Sequence, residues 1–205
     1  MKNEHIRNEM VFQQPLNPLL ERVYQNQLQY REIILNDDVT EDIIELVTVQ
    51  IMNFNREDDE AEETLKEYDR KKNPITLFVN SRGGLVDDGL SVVSAIRASK
   101  TPVHTVVLGK AYSMGFLILI AGHRRFAQAY SAIMYHQISS GTIGTVMDIS
   151  EYAEHLCTRQ QQIEEFVSEH TLLPKEVLED IFVRKHDLYL TAAEALEWGV
   201  IDEIL

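Results

Sequence analysis

The chain has 205 residues, 44% of them hydrophobic and 25% charged, enough for one α/β domain with a real core or one domain plus an appendage. Its formal net charge of −14 at pH 7 argues against nucleic acid and anionic membrane as partners, because both are polyanions. One cysteine, Cys157, excludes an internal disulfide framework; the opening MKNEHIRNEM has no apolar signal core, and the longest apolar run, 116–121, is too short to cross a bilayer, so a soluble cytoplasmic protein is expected.

Residues 1–30 are polar, rich in Asn, Gln and Glu, and carry Pro15 and Pro18; they read as an extended arm, with 1–27 set apart from the domain that follows. REIILND (31–37) reads as a short buried strand. TEDIIELVTVQIMNF (40–54) reads as a helix capped by Thr40, with Ile43, Val47 and Ile51 on one face. The segment 55–73 is the most charged; its acids lead and its bases trail, as on a solvated helix extension or loop. ITLFVN (75–80) is a strand by its β-branched and aromatic content, and Val86, Leu90, Val93 and Ile96 then repeat at helical spacing. TPVHTVVLG (101–109) is the next strand, so 75–109 forms a βαβ crossover with two parallel strands. A helix begins near Ser113, and strand-like RRFAQA (124–129) and AIMYHQ (132–137) follow. A Gly-, Ser- and Thr-rich loop (138–148) leads into a long helix at about 149–170. A short helix at PKEVLEDIF, a helix at 191–199 with a Thr191/Glu194 capping box, and a strand at VIDEIL complete the chain.

Three features could carry chemistry. Ser113 heads an apolar helix, where free backbone N–H groups favour negative charge; it is either a helix cap or a nucleophile. SRGG (81–84) lies at another strand-to-helix turn, where paired glycines either make a tight turn or expose N–H groups to a substrate oxygen. His136 stands at a strand end beside a Gly-rich loop, but His5, His104, His123, His155, His170 and His186 compete with it, and 33 acids compete to orient an imidazole. No metal site is expected, since the histidines lack metal-ligand spacing, and Cys157 reads as inert packing.

Taken together, NSRGG, GKAYSMG, AIMYHQ and DLYLTAAEALEWGVIDEIL resemble the proteolytic subunit of the Clp protease, the ClpP family, from about residue 28 to the C-terminus. The family pattern is N-S-P-G-G, G-x-A-x-S-M-G, I-M-x-H-Q and D-x-x-L-(S/T)-A-x-E-A, in that order. The resemblance implies an α/β fold of the crotonase-like ββα superhelix type with a projecting handle helix, here about 137–170. It implies Ser113 as nucleophile, His136 as general base and Asp187 as orienting acid, with Gly84 and Met114 supplying the oxyanion-hole N–H groups. The implied activity is serine endopeptidase chemistry on peptides or unfolded proteins inside a heptameric ring or double ring. An AAA+ Clp ATPase would feed that chamber; ATP belongs to this partner, and no cofactor is expected in the chain itself.

By position, Phe78, Val106, Leu108, Phe126 and Leu205 match the apolar pockets where such an ATPase docks, whereas Thr76 and Gln128 are polar where the family has an aromatic and an aliphatic residue. Arg82 stands where the family has proline before the glycines, and Ile138 where it has proline after His-Gln. The hairpin at 122–125 is short, and 55–73 contains an insertion. Other readings are a weakly active ring subunit paired with a second ClpP-like chain, a phage-type maturation protease, and a crotonase-fold acyl-CoA enzyme.

Overall fold

The computed structural model describes residues 18–205. Within the stretch expected to be an extended arm, Pro18–Gln29 is helix α1, with Pro18 at the first helical position, where its missing N–H costs nothing. That corrects the extended reading for these residues; 1–17 lie outside the described residues. Strand β1, Glu32–Leu35, follows. A π-helical turn, Ile44–Thr48, leads into α2, Val49–Thr64. Val47, Ile51 and Phe54 are buried as the periodicity requires, but Thr40 is not the cap: the helical run starts after Ile43, with no side-chain cap bond.

The charged segment is not simply solvated. Asp58, on α2, is 1% exposed and accepts from the Arg31 guanidinium at 2.8 Å and from the hydroxyls of Tyr68 and Thr101. Arg70, 8% exposed, donates to Asp59 at 2.7 Å and to Glu62 at 2.7 Å. A buried carboxylate needs partners of this kind. Here they tie the insertion to the start of β1 and to the turn before the third strand.

Strand β2, Ile75–Ser81, helix α3, Val86–Ala98, and strand β3, Val103–Tyr112, form the expected crossover, with β2 and β3 parallel in the register Ile75↔Val103. Helix α4, Met114–Ile120, is buried at every residue, which explains its uniformly apolar sequence. Then come β4, Arg124–Ala127; β5, Ala132–Tyr135; α5, Val146–His170; α6, Lys175–Arg184; β6, Leu188–Thr191; α7, Ala192–Glu197; and β7, Glu203–Ile204. Thr191 and Glu194 form the expected capping box on α7. The short strand β6 lies in DLYLT, a stretch to which the sequence, apart from the Thr191 cap, assigned no element.

The sheet runs β1-β2-β3-β4-β7, parallel throughout this path. β3 is the pivot. Its first half, His104–Val107, pairs with β4; a register shift against β2 intervenes; its last residues, Lys110–Tyr112, pair with β5. β5 in turn pairs antiparallel with β6. The ends of β2, β3 and β5 therefore converge beside the start of α4. α5 buries only Gln160, Ile163 and Val167, all in its second half. At 1.5 Å per residue it is about 37 Å long, so its first half projects as a handle. The α/β class read from the sequence thus holds. No helix among the described residues is long and apolar enough to cross a membrane.

Candidate active site

Ser113 joins β3 to α4 with φ 55° and ψ −118°, a conformation costly for a residue with a Cβ. It occupies the cap position of α4, yet its side chain makes no capping bond. Instead Ser113 Oγ lies 2.8 Å from His136 Nε2. Ser113 therefore does not act as a side-chain cap: a strained backbone presents its hydroxyl to an imidazole.

The two elements are held together from behind. The Ser113 N–H donates to the Met134 carbonyl on β5 at 2.9 Å. Tyr135, just before His136, stacks on Phe116 of α4 at 4.8 Å between ring centroids. Burial pushes the Tyr135 hydroxyl well above its usual range, so it stays neutral there. Past His136, the Ile138 N–H donates to Gln160 Oε1 of α5 at 2.8 Å. A proline at 138 would have no such N–H. No sequence signal singles out Gln160, which sits in a run of three glutamines.

The other described histidines have different surroundings. His104 packs on Phe126, His123 Nδ1 accepts from the Val103 N–H, His155 faces a neighbouring cleft, His170 bonds the Phe166 carbonyl, and His186 pairs with Asp180. His5 lies outside the described residues. Contact with Ser113 is what separates His136 from them.

The two glycines of SRGG are conformationally required. Gly83 has φ +94°, and a Cβ there would lie 2.6 Å from Ser113 Cβ; Gly84 has φ +152°, and a Cβ there would fall on the backbone of Val39. The turn is pinned, with the Gly83 N–H donating to Ser81 Oγ at 3.0 Å, the Val39 N–H to the Gly83 carbonyl at 2.8 Å, and the Leu85 N–H to the Val39 carbonyl at 2.8 Å. Among the described residues the backbone N–H groups of Gly84 and Met114 have no acceptor. Both residues line a cleft of about 340 Å³ together with Ser113 and His136. Two free donors beside a serine hydroxyl are able to hold a developing oxyanion.

Asp187 is placed by strand register. The β5–β6 ladder ends at Tyr135↔Leu188, so His136 and Asp187 are the next residues on opposite strands. The Asp187 carboxylate is exposed and makes no hydrogen bond to His136 or to any other described residue. The turn before it passes through Lys185 at φ 57°, where one Asp180 oxygen takes Arg184 at 3.0 Å and the other takes His186 at 2.6 Å. Ser113 and His136 are thus in contact, and Asp187 stands one register step beyond the ladder without closing on the ring. Among the described residues no cluster of three or more His, Cys, Asp or Glu is placed to hold a metal ion.

Residues 19–205 match the family model described as Clp protease. The chain belongs to the Clp protease family. It is also similar to the ATP-dependent Clp protease proteolytic subunit 2 of Thermobifida fusca, at 34% identity over 205 residues, spanning 99% of this chain and 92% of the relative. Membership makes the chain a Clp-type protease, a hydrolase of peptide bonds. The Clp protease match begins inside α1, earlier than the resemblance read from the motifs, which began near residue 28.

Proposed function

We propose that the chain is a serine endopeptidase working inside a ring-shaped chamber. Ser113 is the nucleophile, His136 the general base, and Asp187 the acid that orients the imidazole. The contact that carries this reading is Ser113 Oγ to His136 Nε2 at 2.8 Å, made from a strained backbone. His136 takes the hydroxyl proton as Oγ attacks a peptide carbonyl carbon. The Gly84 and Met114 N–H groups hold the resulting oxyanion. The tetrahedral intermediate collapses, the amine leaves with the proton from His136, and water hydrolyses the Ser113 ester by the same route.

The decisive experiment is Ser113→Ala with a fluorophosphonate label on wild type. Peptide hydrolysis should fall by at least about 10³-fold, with folding unchanged because only one oxygen is removed. Wild type should take up one label per chain at Ser113. Retention of more than a few per cent of activity in Ser113→Ala would sink the assignment.

A second reading is a weakly active ring subunit that gains activity beside another ClpP-like chain. Its support is the open Asp187–His136 gap. It requires that labelling be slow for the chain alone and speed up when a companion subunit is added.

The same proposal places the protein in the cytoplasm as a heptameric ring or double ring fed by an AAA+ Clp ATPase. Phe78, Val106 and Phe126 are direct neighbours across β2, β3 and β4, and Leu108 and Leu205 are exposed nearby. They form an apolar strip on one sheet face that such an ATPase can grip. Thr76 and Gln128 weaken that grip, and a second ring of ClpP-like chains would restore it.

A further inference from the structure

The catalytic cleft carries one fixed charge, and it comes from Arg82. Of the thirteen residues lining the 340 Å³ cleft, Arg82 alone is permanently ionised; apart from His136 the rest are apolar or neutral. Arg82 is exposed, and its guanidinium makes no ion pair or hydrogen bond with any described residue. Acids line the adjoining cleft of about 370 Å³: Asp87, which already pairs with Arg159 at 2.9 Å, and Asp88, with His155 there too; Asp38 precedes Val39, whose N–H bonds the Gly83 carbonyl, and none of these acids is paired with Arg82.

The backbone beneath Arg82 is rigid. Ser81 before it is fully buried and accepts from Gly83 after it, while Gly83 packs against Ser113 and Gly84 against Val39. A free guanidinium is thus tethered to a fixed backbone point on the loop whose next residues include the proposed oxyanion donor. An unpaired cation in a cleft built for a peptide favours a substrate that brings the missing anion.

We propose that Arg82 makes this protease prefer peptides carrying an aspartate or glutamate side chain within about three residues of the scissile bond. The proposal rests on the serine-peptidase reading. Arg82 acts on the substrate through its guanidinium and takes no part in proton transfer. Its planar fork suits a carboxylate held by two parallel N–H···O bonds.

The test uses the full-length assembled protein and quenched fluorescent peptides with an apolar background. Each peptide carries one Asp, or its neutral isostere Asn, at successive positions from three before to three after the cleavage point. At one or two adjacent positions the Asp peptide should exceed its Asn partner in kcat/KM by about three- to tenfold. The gain should lie mainly in KM and shrink as salt is raised from about 0.05 to 0.5 M. Arg82→Ala should bring the Asp/Asn ratio near one, Arg82→Glu should invert it, and Arg82→Lys should keep part of it. Arg82→Pro, which restores the family residue, provides an independent neutral variant should another fold poorly.

Hydrolysis that depends on Ser113 but shows an Asp/Asn ratio near one at every position overturns the proposal alone. A ratio that Arg82→Ala and Arg82→Pro leave unchanged overturns it equally. Hydrolysis of neither peptide by wild type, or hydrolysis indifferent to Ser113→Ala, overturns the peptidase reading and this proposal with it.

Discussion

Gly84 combines two demands that rarely fall on one residue. Its φ of +152° and its packing against Val39 exclude a Cβ, and its N–H stands free beside Ser113. Gly84→Ala should therefore push the 82–85 turn away from Val39 and move the donor off the oxyanion. Loss of one such donor typically costs about 10²–10³ in kcat, while the strain costs about 1–3 kcal/mol of stability. Measured kcat within threefold of wild type would show that this N–H does not face the reacting carbonyl. Ser113 repeats the pattern, since an unfavourable backbone is retained where a side chain must reach its partner.

Among the elements, α2 is held by a charge hub. Asp58 joins Arg31 before β1, Tyr68 after α2 and Thr101 before β3. Burial, then the Asp58 acceptor, push the Tyr68 phenol up to about 12. Asp58→Ala strips the acceptor from a largely buried guanidinium and two hydroxyls, and should cost about 3–5 kcal/mol, read as a lower denaturant midpoint. A cost below about 1 kcal/mol would mean that these donors are hydrated instead.

Strand β3 and the turn before β4 carry a pH dependence of their own. Burial, reinforced by the Arg124 and His123 charges, lowers the pKa of His104; burial and then Arg97 lower that of His123. The Val103 N–H aimed at His123 Nδ1 also requires the neutral ring. As pH falls past the ordinary value of about 6.5, the unfolded chain binds these protons before the folded one does. Stability should be full above that point and decline below it, through the lowered folded values. A combined His104→Asn, His123→Asn variant should lose less stability between pH 7 and 5 than wild type. Parallel stability–pH curves for the two would remove these histidines as the cause.

At the scale of the whole molecule, the handle demands a partner. Ile143, Val146 and Met147 are 102%, 84% and 67% exposed, and no described part of the chain covers them. Adjacent apolar side chains left in water at the end of a projecting helix mark an assembly surface. The native mass should be a large multiple of 23.6 kDa. Val146→Asp with Met147→Asp should split that assembly into smaller rings. Acids in the first turn of α5 suit its dipole, so the helix itself should persist. A wild-type monomer in sedimentation at micromolar concentration, with full activity, would defeat the chamber.

Periodicity and local chemistry made much of this protein legible in advance. The βαβ unit, the wholly apolar α4, the Thr191/Glu194 box and the glycine turn are set by neighbours in sequence, where side-chain period and backbone freedom suffice. Helix α1 and the burial of Asp58 and Arg70 were not legible, because a polar composition does not reveal partners some ten to forty residues away. The site divides in the same way. Ser113 and the SRGG turn are visible locally, each at a strand-to-helix turn, but with cap and tight turn as open alternatives; Gly84 as a donor was named by likeness to a family. His136, at a strand end beside a Gly-rich loop, could not be separated from six other histidines by its surroundings, and Asp187 among 33 acids had no local signal; both were named by likeness to a family. Only the tertiary structure brings His136 to Ser113, because β3 changes partner from β4 to β5 midway along its length. Only the β5–β6 register sets Asp187 opposite that histidine, since pairing between strands more than fifty residues apart is decided by packing and not by local preference.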